Sequence, residues 1–325
     1  MSGRWRRGMR WVLAVLVAAG GGFAVAQDFP NRTVRIVVPA AAGGAVDAIS
    51  RILAQKLTAS WNRQVVVENR PGAGGNIAIE HVAKAAPDGY TYLTVSQSFA
   101  HNISVYRNLS WHPVRDFAPV TLIGTTNGVL LVPPALPVKS VKELIALAKA
   151  RPGELSYATT GSGTSGHMYM AFFATTAGIN VAHVPYRDVT QAQADLISGR
   201  VQLYIAPMPA FIALVRSGRL RALAVTGARR SGALAEVPTM QEAGVRGYEA
   251  VTWYGFYTVA KTPRDVIEKT HGEMVKALQS ADVTERFAAL GIEIVGSTPE
   301  QLAKHLEDEI AKWGKVAKTL NMRAE

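Results

Sequence analysis

Short runs of β-branched and aromatic residues recur along the chain and predict β-strands. They fall at residues 34–38, 65–67, 92–95, 129–132, 203–205 and 220–225. Several of them lack polar alternation, which is typical of strands covered on both faces. Helical periodicity fills the stretches between them. The pattern therefore predicts an α/β fold with parallel or mixed sheets and helices on both sides.

Helix boundaries are marked by capping residues and prolines. An apolar stripe follows Gly43-Gly44, and Ser140 with Glu143 forms a capping box for a helix that reaches Ala150. Thr262-Pro263 and Thr298-Pro299 each place a cap before a proline at the first helical position. The stripe after Gly44 consists of Ile49, Ile52, Leu53 and Leu57. One face of the last helix carries a second apolar stripe, Leu302, Leu306, Ile310 and Trp313.

The chain contains no Ser/Gly linker, so strands rather than a tether are expected to join its domains. We place two crossings near residues 124–128 and 248–257. This division gives one lobe from residues 27–125 plus 250–325 and a second lobe from residues 126–249. Two crossings suit a hinge with a cleft between two α/β lobes.

The first 26 residues have the features of an export signal. Four arginines precede an apolar run that ends Ala24-Val25-Ala26, and this run is shorter than the roughly 20 residues that span a bilayer. We expect cleavage after about Ala26 and a periplasmic mature protein. The four cations are accompanied by no acid, so cleavage lowers the formal charge from +11 to +7.

Composition narrows the function classes. A chain that is 48% hydrophobic and 18% charged is not a disordered one. It has no cysteine, which excludes thiolate metal sites, cysteine nucleophiles and disulfides. The excess of basic residues suggests nucleic acid or a membrane surface. However, the densest basic clusters, Arg219/Arg221 and Arg229-Arg230, have no aromatic residues between them that could stack on bases. We therefore expect these arginines to lie on the solvent-exposed surface, and we expect no nucleic-acid partner.

Three glycine-rich turns carry the candidate chemistry. They span residues 39–47, 70–76 and 159–167, and each lies between a predicted strand and a predicted helix. Glycines let the backbone approach a ligand, and a helix start presents unpaired N–H groups. Such turns make a site for a carboxylate or phosphate. For the turn at 70–76, simple turn geometry with nothing bound is the favoured interpretation, whereas ligand binding is favoured for the other two.

The third turn also matches G-x-G-x-x-G through Gly161, Gly163 and Gly166, with Asp188 beyond it. This motif alone would indicate a dinucleotide-dependent oxidoreductase, but it lies far from the first strand, where it normally opens its domain. The chain contains no G-x-S-x-G, H-E-x-x-H or P-loop lysine pattern and no metal-ligand histidine spacing. We therefore predict a protein that is not an enzyme and that needs no cofactor or metal.

Three polar residues near these turns are ambiguous. His167 suits either ligand binding or helix capping. His183 fits packing at a strand end. Asp47, at the first helix start, suits either a structural role or the positioning of a ligand amine or water.

At these turns the sequence resembles the Bug family, the extracytoplasmic solute-binding receptors of tripartite tricarboxylate transporters. The resemblance covers essentially the whole mature chain. The motifs that carry it are Pro39-x-x-x-Gly43-Gly44-x-x-Asp47, the run at 66–76, Ala86-Pro87-Asp88-Gly89-Tyr90, Asp116-Phe117-Ala118-Pro119-Val120, His183-Val184-Pro185-Tyr186, Glu236-Val237-Pro238-Thr239 and the run at 310–316.

This resemblance implies a periplasmic-binding-protein-like "Venus flytrap" whose lobes close on a small carboxylic acid. In the family the first strand–helix loop holds a carboxylate, the Gly/Ser loop of the second lobe holds the ligand from the opposite side, and a loop here at Pro207-Met208-Pro209 completes the wall. The ligand-binding residues expected on this basis are Ala40, Ala41, Ala42, Gly43, Gly44, Asp47, Ser98, Thr160, Gly161, Ser162, Gly163, Thr164, Ser165, His167, Tyr186, Pro207 and Met208.

Three positions depart from the family pattern. Ala40 stands where an aromatic residue is frequent, Arg187-Asp188 stands for Lys-Gly, and Ala206-Pro207 stands where an Asp is frequent. These changes suggest a roomier or less polar pocket.

The function expected from the sequence is that of a monomeric periplasmic receptor. It would bind a di- or tricarboxylate, an acidic amino acid or an aromatic acid and deliver it to membrane permease subunits. A receptor for a two-component sensor kinase is the main alternative. An NAD-dependent oxidoreductase and a partner-binding module without a small ligand are weaker ones.

Overall fold

The structure is a computed structural model and describes residues 29–319. The predicted signal peptide, residues 1–26, lies outside the described residues. The strands are β1 (Val34–Val38), β2 (Val65–Asn69), β3 (Thr91–Val95), β4 (Phe117–Val132), β5 (Ser156–Thr159), β6 (Ala182–Pro185), β7 (Tyr204–Pro207), β8 (Arg221–Val225), β9 (Val251–Val259) and β10 (Ile292–Ile294). The helices are α1 (Ala45–Trp61), α2 (Asn76–Ala83), α3 (Ser98–Val105), α4 (Val141–Ala150), α5 (Ser165–Ala177), α6 (Val189–Ser198), α7 (Ile212–Arg216), α8 (Arg264–Gln279), α9 (Ala281–Ala289) and α10 (Pro299–Thr319).

The first lobe is built on a mixed sheet in the order β10-β4-β9-β3-β1-β2. Strand β1 pairs in parallel with both β2 and β3, whereas β9 runs antiparallel to β3 and β4. Residues 34, 36 and 38 of β1 pack into one hydrophobic core and Val37 packs into another. Because successive side chains of a strand point to opposite faces, both faces of this sheet are buried. This explains why the strand lacks polar alternation.

The second lobe uses the other half of β4. Residues 117–127 of β4 pair with β9, whereas Gly128–Leu131 pair with β7 and Val129–Val132 pair with β8, all antiparallel. Strands β5 and β6 form a parallel pair that meets the β7 segment through a bridge between Tyr157 and Leu203. The predicted strand at 129–132 is thus the end of a 16-residue strand that serves both lobes. The α/β, two-lobed prediction is confirmed, while the boundaries at 125/126 and 249/250 stay a prediction.

Most of the predicted helix boundaries are confirmed, and one is wrong. The Ser140 hydroxyl accepts the Glu143 N–H at 3.2 Å, and Thr298 caps α10 through the Gln301 N–H at 3.2 Å. Thr262, however, does not cap α8. Pro263 has ψ 140°, an extended conformation, so it becomes the N-cap and the helix begins at Arg264. The predicted apolar stripe of α10 is confirmed, with Leu302, Leu306 and Trp313 buried.

Helix α10 ends against the second lobe. Its Trp313 belongs to the same hydrophobic core as Tyr169 and Phe173 of α5. The Glu309 carboxylate accepts both the Trp253 indole N–H of β9 at 3.0 Å and the Trp313 indole N–H at 2.9 Å. This buried acid therefore ties α10 to the strand that returns from the second lobe to the first.

Among residues 29–319, no helix is long and apolar enough to cross a bilayer.

Candidate functional site

A cavity of about 920 Å³ lies where the loops after β1, β2, β3, β5, β6 and β7 meet. All of these loops leave the carboxyl ends of their strands, and β1 is flanked by β2 and β3 on either side. In open α/β sheets this edge is where ligands bind. The first-lobe wall comes from residues near 39–46, 71–75 and 96–98, and the second-lobe wall comes from residues near 160–166, 186–189 and 207–211.

The first loop, between β1 and α1, is held from behind by polar side chains. The Asp47 carboxylate accepts the Gly43 N–H at 3.0 Å and the Asn69 amide at 2.9 Å, and Arg51 lies 3.0 Å from it. Asn69 also donates to the Ala40 carbonyl at 3.0 Å. Burial of Asp47 opposes its ionisation, but hydrogen bonds from Arg51, Gly43 and Asn69 outweigh it and lower its pKa. Asp47 is therefore an ionised brace for the loop.

The third loop, between β5 and α5, is braced by a threonine and two histidines. Gly163 donates its N–H to His167 Nδ1 at 3.2 Å, and Gly161 donates to the Thr159 hydroxyl at 3.1 Å. His183 Nε2 lies 2.6 Å from the Thr159 hydroxyl, and the His167 and His183 rings stack at 4.4 Å. Burial lowers the pKa of His167 to about 4, and repulsion from a protonated His183 is the second cause. Burial also lowers the pKa of His183. Both rings are therefore neutral at pH 7.

The same loop touches the first lobe across the cleft. His101 Nδ1 donates to the Gly163 carbonyl at 3.3 Å, and the Tyr106 hydroxyl donates to the Ser162 carbonyl at 3.1 Å. The Ser165 hydroxyl donates to Gln97 Oε1 at 3.2 Å. The contacts that close the cleft on this side thus fall on the loop that was predicted to hold the ligand.

The turn at 72–75 also reaches the cavity. A Cβ at Gly74 would lie 2.6 Å from the Tyr106 hydroxyl and 2.7 Å from the Ser162 carbonyl, so only glycine fits there. The Asn102 amide fixes this turn by donating to the Gly74 carbonyl at 3.1 Å and to Asn76 Oδ1 at 2.7 Å. The glycine spacing was visible in the sequence, but nothing in it distinguished a tight turn from a cavity wall.

Several helices begin at this cavity without a side-chain cap, among them α1 of the first lobe and α5 of the second. The N-caps Gly44 of α1 and Thr164 of α5 make no capping side-chain hydrogen bond, whereas Ser140 and Asp188 cap α4 and α6. The cavity wall includes the first-turn residues Ala45 and Val46 of α1 and Ser165 and Gly166 of α5. Backbone N–H groups at a helix start have no partner within the helix and carry a partial positive charge. They are suited to binding an anion.

The remaining wall is mostly apolar and aromatic. It includes Tyr106, Tyr186, Tyr204, Phe211 and Tyr254. Among the described residues of the wall, Arg187 and Asp188 are the charged ones. The Asp188 carboxylate accepts the Gln191 N–H at 2.8 Å. Since that carboxylate is already engaged, the cavity favours an anion with an apolar body over a cation.

The structure divides the predicted site residues into two groups. On the wall are Ala40, Ala41, Gly44, Ser98, Thr160, Gly161, Ser162, Thr164, Ser165, Tyr186 and Pro207. Their contact with a ligand stays a prediction. Off the wall are Ala42, Gly43, Asp47, Gly163, His167 and Met208, and their contact with a ligand likewise stays a prediction.

Four residues of the second group form hydrogen bonds that shape the loops. Gly43 and Asp47 bond each other, as do Gly163 and His167, so these pairs shape the loops from behind. His167 therefore bonds the loop before α5 and does not cap the helix, and its contact with a ligand stays a prediction. The Gly163 N–H is occupied by His167, which leaves the middle glycine of the G-x-G-x-x-G run unable to donate to a pyrophosphate. Residues on the wall that sequence reasoning did not select include Tyr106, Tyr204, Phe211 and Tyr254.

Among residues 29–319 no group of three or more His, Asp or Glu side chains is arranged to hold a metal ion.

Comparison with known proteins identifies relatives along nearly the whole chain. A family model described as "Tripartite tricarboxylate transporter family receptor" matches residues 49–322. A UPF0065 protein from the tcbD-tcbE intergenic region of Pseudomonas sp. strain P51 is 40% identical over 289 residues, which is 89% of this chain and 86% of that one. BugT of Bordetella pertussis is 36% identical over 311 residues, covering 94% and 95% of the two chains.

Solved structures agree with this assignment. Rpa4515 of R. palustris with adipate is 37% identical with a TM-score of 0.89, covering 91% of this chain and all of that one. MatC of Rhodopseudomonas palustris with bound malate is 27% identical with a TM-score of 0.85, covering 89% and 99%.

Proposed function

Because the chain belongs to the tripartite tricarboxylate transporter receptor family, we propose that it is a periplasmic solute-binding protein for a small organic carboxylate. The ligand binds in the interlobe cleft, and the loaded protein delivers it to the permease subunits of a tripartite transporter. The protein acts as a monomer without catalysis. The lobes hinge where β4 and β9 pass between them.

The observation that carries this proposal is that the uncapped starts of α1 and α5 meet at one cavity. The first turns of α1 and α5 come from different lobes, and both line the same wall. A carboxylate between them accepts N–H groups from both lobes at once. The closed form then gains contacts that the open form cannot make, and this differential affinity drives closure.

The rest of the cavity favours an acid with an apolar body. Ala40, Pro207 and Ala210 present small or apolar surface, and aromatic residues such as Tyr186, Tyr204 and Phe211 line the same cavity. Adipate and malate are bound by Rpa4515 and MatC, whose folds match this one. Di- and tricarboxylates, acidic amino acids and aromatic acids are therefore the candidate ligands.

A thermal-shift screen of the exported protein tests the proposal. The panel contains adipate, malate, citrate, glutamate and benzoate, with NAD as the comparison for the oxidoreductase alternative. Ligand at 100 times its Kd adds about 2.7 kcal/mol to the free energy of unfolding, which raises Tm by roughly 5 °C. A rise with NAD and with none of the acids would overturn the proposal. Uptake of the best acid into vesicles that contain the permease then tests transport.

A further inference from the structure

We propose that the Tyr254 hydroxyl binds a hydroxyl group of the ligand, so that this receptor prefers a hydroxy acid to the same acid without that hydroxyl. The inference rests on the proposed function and identifies a residue that determines which acid is preferred. It leaves the carboxylate at the helix starts of α1 and α5 and assigns a neutral polar substituent to one side chain of β9.

Tyr254 is a buried residue of β9 that also belongs to the cavity wall. Its neighbour Gly255 pairs with Val95, the last residue of β3. Tyr254 therefore lies at the edge of the sheet from which the loop after β3 enters the cavity. It packs in the same hydrophobic core as Ala45 and Val46, the first residues of α1. The cavity wall and this core together place Tyr254 on the side of the first lobe where α1 begins.

The Tyr254 hydroxyl is buried and has no hydrogen-bond partner among residues 29–319. Other buried tyrosines in the described part of the chain do have one. The Tyr92 hydroxyl shares a hydrogen bond of 2.6 Å with Thr270 Oγ1, and the Tyr248 hydroxyl donates to the Tyr169 carbonyl at 3.0 Å. Burying a hydroxyl without a partner raises the free energy of the folded form, because its hydrogen bonds to water are lost. A ligand hydroxyl in the cavity would remove this cost.

A second hydroxyl on the same face of the sheet also lacks a partner. Thr94 of β3 is fully buried and pairs with Phe256, and its Oγ1 has no hydrogen bond within residues 29–319. Directly opposed residues of two antiparallel strands project to the same face, and so do residues two apart in one strand. Thr94, Phe256 and Tyr254 therefore share a face. The otherwise apolar core below the cavity thus contains two hydroxyls that no described protein group satisfies.

The chemistry of this position suits a neutral hydroxyl better than a charged group. A phenol can both donate and accept a hydrogen bond, and so can an alcohol. Burial raises the pKa of Tyr254, so its side chain is a neutral phenol at pH 7. A buried ammonium or second carboxylate would need a counter-charge. The charged residues of the described wall, Arg187 and Asp188, both belong to the second lobe.

The test compares hydroxy acids with the corresponding plain acids on matched variants. The pairs are malate with succinate, citrate with tricarballylate, 2-hydroxyadipate with adipate, and salicylate with benzoate. Tyr254→Phe removes the hydroxyl and keeps the ring. Tyr257→Phe is the control, because Tyr257 of the same strand also has a buried, unpartnered hydroxyl but packs in the core on the other face and lies off the cavity wall. Calorimetry measures Kd for each acid, and the ligand-free Tm measures the stability of each variant.

We expect the wild type to bind the hydroxy acid of at least one pair about tenfold more tightly than the plain acid. Tyr254→Phe should reduce this ratio to about two by weakening the hydroxy acid, with the affinity for the plain acid nearly unchanged. Tyr257→Phe should keep the wild-type ratio. The ligand-free Tm should not fall in either variant, because each removes a buried hydroxyl that has no partner.

Two results would overturn the inference while leaving the proposed function intact. One is a wild type that binds carboxylates but prefers the hydroxy acid in none of the pairs. The other is a preference that survives in Tyr254→Phe, or that is lost to the same extent in Tyr257→Phe. A wild type that binds none of these acids would instead overturn the proposed function, and this inference with it.

Discussion

Replacing Gly163 with alanine should separate ligand affinity from the stability of the fold. Gly163 has φ +78°, where an alanine costs about 1–2 kcal/mol. Its added Cβ would lie 2.5 Å from Asn102 Oδ1 of the first lobe, well inside van der Waals contact. Gly178, at the end of α5, provides a matched control, since it has φ +63° and no atom within 4 Å of an added Cβ. Gly178→Ala therefore carries the backbone cost without the clash.

The size of the clash follows from what Asn102 would lose. Its amide donates to the Gly74 carbonyl and to Asn76, and moving the side chain away from the new methyl group lengthens both bonds. Two such hydrogen bonds are worth about 2 kcal/mol together, which corresponds to roughly 30-fold in an equilibrium constant. Because Gly163 and Asn102 lie on opposite sides of the cleft, opening relieves the clash. The penalty therefore falls on the closed, ligand-binding form.

The assay measures Kd by calorimetry and ligand-free Tm for the wild type and both variants. We expect similar falls in Tm for Gly163→Ala and Gly178→Ala, but affinity lower by about 30-fold in Gly163→Ala alone. Equal affinities in the two variants would refute the reasoning, because closure would then not bring Gly163 against Asn102. A much larger fall in the ligand-free Tm of Gly163→Ala would refute it differently, since the contact would then persist in the open form.

Three further perturbations follow from the buried polar groups. Asp47→Asn replaces one of the two acceptor oxygens that receive hydrogen bonds from Gly43, Arg51 and Asn69 with an NH2 donor, so urea unfolding should show a loss of about 2–3 kcal/mol, whereas Asp282→Asn, at an exposed ion pair, should change little. Burial lowers the pKa of His101 to about 3, so the unfolded state binds more protons below about pH 6.5 and stability falls as the pH drops from there toward 3. His101→Gln should flatten this slope between pH 7 and 5, and an unchanged slope would contradict the assignment. Glu309→Leu leaves two buried indole N–H groups unpaired and should cost about 2–4 kcal/mol in urea unfolding, with Glu309→Gln, which keeps an acceptor, costing clearly less.

Much of the architecture was predictable because each element has a local cause. The apolar run of β1 predicts a strand that is covered on both faces, and the structure buries both of its faces. The Ser140 capping box and the apolar stripe of α10 depend only on residues close together in the chain, so they too could be predicted from the sequence. What escaped prediction was the continuity of β4 through both lobes. A strand that changes its partners between Asn127 and Gly128 shows no break in local pattern.

The candidate site was predictable to a smaller extent, for a related reason. Glycine spacing identifies loops that can approach a ligand, and the first and third turns do reach the cavity. It does not tell which residues of a loop face the cavity and which bond the protein behind it. Gly163 and His167 face each other, and Asp47 faces Gly43. Tyr106, Phe211 and Tyr254 reach the wall only through tertiary packing, and no spacing in the sequence connects them.

This arrangement separates anion binding from ligand choice. The proposed carboxylate subsite consists of backbone N–H groups. Their positions are set by polar braces behind the loops: Asp47 with Asn69 for one loop, and Thr159 with His183 and His167 for the other. Side chains on the rest of the wall, such as Ala40 and Arg187, make none of the hydrogen bonds that brace these two loops. They can therefore change size or charge without moving the N–H groups. Substitutions behind the loops should lower affinity for every acid, whereas substitutions on the wall should alter which acid is preferred.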